Sequence, residues 1–229
     1  MTYKADSSFA APHGPWSAVW TAEPDVFGDG RGWFCEVAKE RGPGEGVPPW
    51  AESLSWVKQV NRSSSRPGTV RGCHAQKGGS CQAKLVQALT AAMYDVITDA
   101  RPESPTFGVS GVYVLDPAKQ NQLFVPKGFL HAFVVPSKAG RDALFEYFCS
   151  EPYDRAAETG VNPLTLLPGV AGSLKSMKGG DPEYQGLFET LADGGGMKLS
   201  GKDLAAATYE DFMAGVKAEF DRTRKAWYL

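Results

Sequence analysis

Between Gln59 and Lys84 the chain reads QVNRSSSRPGTVRGCHAQKGGSCQAK, which gathers His74, Arg71, Lys84 and a polar run into one hairpin-like stretch. These residue types suit proton transfer and the recognition of anionic oxygens: an imidazole exchanges protons near neutral pH, and guanidinium or ammonium groups hold negative charge. As a strand, Val70 to Gln76 alternates so that Gly72, His74 and Gln76 share one face while Arg71, Cys73 and Ala75 share the other. Pattern alone leaves a second reading open, because a lone strand histidine is commonly a hydrogen-bonded core or surface residue.

Other candidates are spread along the chain. Phe27 opens a turn-rich stretch, FGDGRGWFCE, whose chemical residues are Arg31 and Glu36, although such a turn often carries only a solvated arginine. Ser55 to Ser63 alternates with Gln59, Asn61 and Ser63 on one face, which is either an exposed face or the polar wall of a ligand cavity. His131 shares a face with Phe129 and Phe133 and so points among aromatics. Tyr147 alternates with Phe145 and Cys149, a pattern equally suited to packing with a tethered hydroxyl. Tyr153 and Glu158 follow, and Ser200 with Asp203 three residues later reads as a capping box.

Positioning these groups falls to short strands. Leu85–Thr90, Met93–Asp99, Gly111–Leu115, Gln122–Pro126, Gly128–Val135 and Asp142–Cys149 carry strand character and are separated by turn residues, which predicts an all-β sandwich or barrel. Residues 1–22, rich in Pro, Ser and Ala around Trp16 and Trp20, read as an N-terminal arm that docks by its aromatics. Residues 23–165 form the expected β domain. Residues 166–229 form a C-terminal segment, Gly- and Pro-rich to residue 198 and then helical from Ser200 through TYEDFMAGVKAEFDRTRKAW in one run.

Composition bounds the function. The 229 residues are 42% hydrophobic and 22% charged with a formal net charge of -2, an ordinary globular balance without the basic excess that nucleic acid or an anionic membrane requires. No segment approaches the roughly 18 continuous apolar residues of a membrane span, and the N-terminus lacks a signal-peptide pattern, so a cytoplasmic protein is expected. Cys35, Cys73, Cys81 and Cys149 lack CxxC spacing, which suits reduced thiols. With His74-Ala75-Gln76 offering one imidazole where a metal-binding barrel would offer two, no metal is expected. No Gly-rich phosphate loop leading into a helix implies a nucleotide cofactor.

VRGCHAQ, then QAKLV, DVITDARPESPTFG and QLFVPKGFLHAF, and finally LSGKD, stand in the order and near the spacing of the dTDP-4-dehydrorhamnose 3,5-epimerase family, which the chain resembles over about residues 27–160 and again near the C-terminus. PKGFLH also resembles the PxGxxH element of cupins. The resemblance implies a cupin-type double-stranded jelly roll closed by a C-terminal helical segment. It further implies a cofactor-independent isomerase acting on a dTDP-linked 4-keto-6-deoxy sugar, and a homodimer.

On that resemblance His74 is the base, Asp203 orients it, Lys84 faces the enolate oxygen and Tyr147 is the acid. Substrate contacts fall to Phe27, Arg31, Glu36 (reaching a neighbouring subunit's substrate), Gln59, Asn61, Arg71, His131, Tyr153, Glu158 and Lys202. The chemistry is sufficient: hydrogens beside the C4 ketone are acidified, so a base on one face, a cation at the ketone oxygen and an acid on the other face invert a centre. A single-position epimerase or a ketoisomerase would use the same steps. A sugar-nucleotide-binding cupin without turnover would be expected to lack some of the four catalytic positions, all of which are present. Ala132, Thr90-Ala91-Ala92 and the absent Trp-Pro before the final segment depart from the family pattern.

Overall fold

In the computed structural model, which describes residues 1–44, 46–178, 180–192 and 197–229, the alternating segments pair into two sheets that face each other. In chain order the strands are β1 (Thr2–Ala5), β2 (Trp20–Glu23), β3 (Val26–Asp29), β4 (Gly32–Cys35), β5 (Gln59–Ser65), β6 (Val70–Gln76), β7 (Lys84–Ala88), β8 (Met93–Asp99), β9 (Ser110–Leu115), β10 (Gln122–Val125), β11 (Phe129–Val134), β12 (Ala143–Cys149) and β13 (Glu158–Gly160). The helices are α1 (Pro49–Glu52), α2 (Leu167–Lys178), α3 (Gln185–Ala192), α4 (Gly201–Leu204) and α5 (Tyr209–Thr223). One sheet runs β1-β2-β10-β7-β12-β5, the other β13-β6-β11-β8-β9, and β3 and β4 make a separate hairpin. The architecture is the expected cupin-type jelly roll.

Period-two alternation explains why the sheets stack. Inward residues such as Val86, Ile97, Leu123, Phe133 and Phe145 fill the space between them. The second sheet is buried on its back as well, where Val96, Leu130 and Val134 meet Leu167, Leu174 and Leu187 of α2 and α3. That double burial accounts for β8 and β11 being buried along their whole length; β11 is apolar but for His131, whereas β8 carries Asp95, Thr98 and Asp99, each of them hydrogen-bonded. Among the described residues no helix is long and apolar enough to cross a membrane, and all four cysteines are free.

Four expectations are corrected. The N-terminal arm does dock by aromatics, Phe9 on Phe129 and Trp16 on Trp56, but it also supplies sheet structure: β1 pairs with β2, and β2 with β10. Residues 161–198, read only as Gly- and Pro-rich with no helix assigned, hold α2 and α3, whose interior glycines are outweighed by burial of Leu167, Leu174 and Leu187. The stretch read as Gly- and Pro-rich includes residues 179 and 193–196, which, like residue 45, lie outside the described residues. The single C-terminal helix is two: α4 ends at Leu204, and Thr208, whose side chain accepts from the Asp211 N–H, caps α5 anew.

Arg71 and His74, expected on opposite faces, both line one cavity. The register explains it: His131 faces His74 and Phe133 faces Arg71, so two steps on β11 match three on β6. The extra residue is a bulge that advances the alternation by one and turns Arg71 inward. Gly72 has φ +113°, and a Cβ there would lie 2.5 Å from the His131 carbonyl oxygen, so the bulge requires glycine.

Gly160 closes the same strand from its other side, where a Cβ would stand 2.2 Å from the Cys73 carbonyl oxygen and 3.2 Å from Cδ2 of His74. Gly160→Ala is therefore expected to cost about 1–3 kcal/mol by overpacking, read as a lowered urea midpoint. An unchanged midpoint would show that β13 can move away from β6 freely.

Candidate active site

His74 projects from β6 and is about one-third exposed; its Nε2 lies 2.6 Å from Oδ1 of Asp203, which is buried. Asp203 reaches it from α4. The Ser200 hydroxyl accepts the Asp203 N–H at 3.1 Å, which fixes the start of that helix, while the carboxylate, instead of reciprocating to the cap, turns to the imidazole. A carboxylate accepting Nε2–H holds the ring in one tautomer and leaves Nδ1 as the lone pair available to take a proton. It also stabilises the imidazolium once formed.

Across the cavity stands Tyr147, on β12 of the facing sheet. The cavity measures about 480 Å³ and is lined by His74, Tyr147, Lys84, Arg71, His131 and Asp203 among others. Burial, with Cys149 adding and Arg71 opposing, pushes the Tyr147 phenol above its ordinary value, so it stays protonated at neutral pH and able to donate. Lys84 begins β7, beside β12, and its Nζ is 6.0 Å from the Tyr147 ring centroid. Phe145 packs against Tyr147 with centroids 5.4 Å apart and against Phe133 at 4.6 Å, giving the cavity an aromatic wall.

A second histidine–carboxylate pair lies deeper. His131 Nε2 is 2.8 Å from Oδ2 of Asp95, both groups being buried. Asp95 was not anticipated, yet MYDVITD carried a signal: an acidic residue in the middle of a strand needs a partner once buried.

At the rim, Glu158 of β13 accepts hydrogen bonds from Lys202 and Tyr153. Burial would raise the Glu158 carboxyl, but these two donors together with the Lys202 charge bring it below its ordinary value. Lys202 also lines the cavity. Cys73, next to His74, is an inert thiol: burial and then Asp203 push it up to about 12.

Other expected residues sit farther off. Ser63 lines the cavity, while Gln59 and Asn61 share its strand face outside the lining, Gln59 donating to Asn61 at 2.9 Å. Phe27, Arg31 and Glu36 stand on or just after the β3–β4 hairpin and are not brought to this cavity. Arg31 is ion-paired with Asp29 at 2.6 Å, Glu36 with Lys39 at 2.9 Å, and Phe27, Trp33 and Phe34 are exposed. Among the described residues no group of three or more His, Cys, Asp and Glu side chains is arranged to hold a metal ion.

The family model for dTDP-4-dehydrorhamnose 3,5-epimerase matches residues 15–210. The chain belongs to the dTDP-4-dehydrorhamnose 3,5-epimerase family. The Salmonella typhimurium dTDP-4-dehydrorhamnose 3,5-epimerase is 37% identical over 136 residues, which span 59% of this chain and 70% of that protein. Among solved structures, NovW of Streptomyces spheroides, a 4-keto-6-deoxy sugar epimerase, is similar at a TM-score of 0.66 with 26% identity, over 96% of this chain and 92% of that one. The Legionella pneumophila dTDP-6-deoxy-D-glucose-3,5-epimerase, in complex with dTDP-4-keto-L-rhamnose, is similar at 0.62 with 27% identity, over 95% and 96% of the two chains. The epimerase-family match spans α2 and α3 as well, the stretch where the sequence motifs were weakest.

Proposed function

We propose that this chain is a cofactor-independent epimerase that inverts C3 and C5 of dTDP-4-dehydro-6-deoxy-D-glucose, giving dTDP-4-dehydro-L-rhamnose. The observation that carries the reading is that His74 on one sheet, backed by Asp203 of α4, and Tyr147 on the other sheet line one cavity. His74 removes the hydrogen beside the ketone. The electron pair moves onto the C4 oxygen, where the Lys84 ammonium offsets the enolate charge, and Asp203 steadies the imidazolium. Tyr147 then returns a proton to the opposite face, and the centre is inverted. No electron leaves the sugar, so proton transfer alone completes the reaction.

Arg71 and Lys202 line the cavity and are assigned to the nucleotide end of the substrate, Tyr153 and Glu158 to the rim and His131 to the sugar. Gln59 and Asn61 read its polar edges. Phe27, Arg31 and Glu36 serve the partner's site in a homodimer, which accounts for an aromatic hairpin left exposed on one subunit.

In deuterated water the substrate is expected to exchange at both C3 and C5, followed by NMR. Exchange at one carbon only would make this a single-position epimerase, and exchange at neither would end the reading. Tyr147→Phe separates the two half-steps. It is expected to lower inversion by roughly a hundredfold or more while deuterium still enters from the His74 side with configuration retained. Equal loss of exchange and inversion would remove Tyr147 as the acid.

A further inference from the structure

Four cations line the cavity: Arg71, Lys84, Lys198 and Lys202. They differ in what they already hold. Lys202 is ion-paired with Glu158, and Lys84 stands by the Tyr147 ring at the reacting end. Among the described residues, Arg71 and Lys198 bond only neutral oxygens, Arg71 the Ser65 hydroxyl at 3.0 Å and the Ser64 carbonyl at 3.4 Å, Lys198 the Pro67 carbonyl at 2.7 Å. The main chain of Lys198 is fixed at the start of β6, its N–H donating to the Gly68 carbonyl at 2.8 Å and its carbonyl accepting the Val70 N–H at 3.1 Å. Its side chain is exposed. An anchored residue therefore brings its ammonium to the cavity that Arg71 also lines.

We propose that Lys198, a position no motif singled out, binds the substrate's diphosphate together with Arg71. This rests on the reading of the chain as a dTDP-sugar epimerase. A diphosphate entering the rim must recruit positive charge. A lysine held by a carboxylate has its charge already offset and would bring that carboxylate close to the phosphates, whereas one held by a carbonyl exchanges a neutral acceptor for a charged one. Lys198 is thus the available partner for Arg71, and Lys202, offset by Glu158, contributes less to phosphate binding.

The test is calorimetric titration of the full chain with dTDP, and with thymidine as the uncharged probe, at low and high salt. Lys198→Gln is expected to weaken dTDP binding at least about tenfold, to leave thymidine binding unchanged and to flatten the salt dependence. KM for the dTDP-sugar should rise by a similar factor with kcat within about threefold, the split expected of binding lost equally from ground and transition states. Lys198→Arg should restore binding, and Lys202→Gln should lose less than Lys198→Gln. Binding of dTDP within about twofold of the parent in Lys198→Gln, or equal weakening for thymidine, would overturn the assignment. A parent protein that binds no dTDP would remove the functional reading along with it, whereas a parent that binds while Lys198→Gln is indifferent removes this inference alone.

Discussion

Replacing His74 with alanine is expected to lower turnover of the 4-keto sugar by between about a hundredfold and ten-thousandfold, the range a positioned general base contributes. That corresponds to roughly 3–5 kcal/mol of lost transition-state stabilisation. Deuterium exchange at C3 and C5 should fall with it, because both depend on the same abstraction, and this separates His74→Ala from Tyr147→Phe. The side chain is partly exposed, so its loss leaves no large buried hole, and circular dichroism should be unchanged. Asp203→Asn should lie between parent and His74→Ala: an amide can still meet the ring but does not stabilise its charged form. If His74→Ala exchanged as fast as the parent, the base would have to be sought elsewhere, with His131 next in line through its own carboxylate partner.

Arg101→Met carries the largest expected effect on stability. Arg101 and Asp99 are completely buried, with Nη2 2.7 Å from Oδ2 and Nε 2.8 Å from Oδ1. The guanidinium also donates to the carbonyls of Ser17 and Ala10 in the N-terminal region, at 2.8 and 2.9 Å, and lies 4.5 Å from the Phe129 ring centroid. Removing it strands a carboxylate out of water, although Ser104 and Thr106 still donate to it at 2.7 Å. The expected cost is about 3–5 kcal/mol, or roughly 6–20 °C in Tm for a chain of this size. Arg101→Lys should recover only part, since an ammonium cannot reproduce the fork. A loss below about 1 kcal/mol, the scale of a surface ion pair, would mean that the region around Ala10 and Ser17 is held by its aromatics alone.

What the sequence disclosed follows from how local each signal is. The strands β6 to β12 were legible because alternation and turn residues act within a few positions, and β6 itself was read to its ends. Asp203 was legible as a cap, but its pairing with His74 across 129 residues came only through the family motif. Arg71 was assigned the wrong strand face because a bulge is set by the neighbouring strand's register and leaves little mark on its own strand beyond Gly72. The strands TYKA and WTAE were missed since four residues show too little periodicity, and their pairing supplies what their composition does not. LPGVAGSLKSMK was passed over as a helix because its propensity is poor; burial against the sheet overrides it. Lys198 belongs to no motif, and its importance emerges only when the cations around the cavity are compared by what they hold.

The base is carried by a barrel strand and the carboxylate that orients it by a short turn of helix that follows both sheets in the chain. A polypeptide halted between residues 160 and 203 could close both sheets and still possess an imidazole without its carboxylate. Competence for the reaction thus arrives late in synthesis, and a nick between β13 and α4 would test whether noncovalent packing alone keeps the two halves in register.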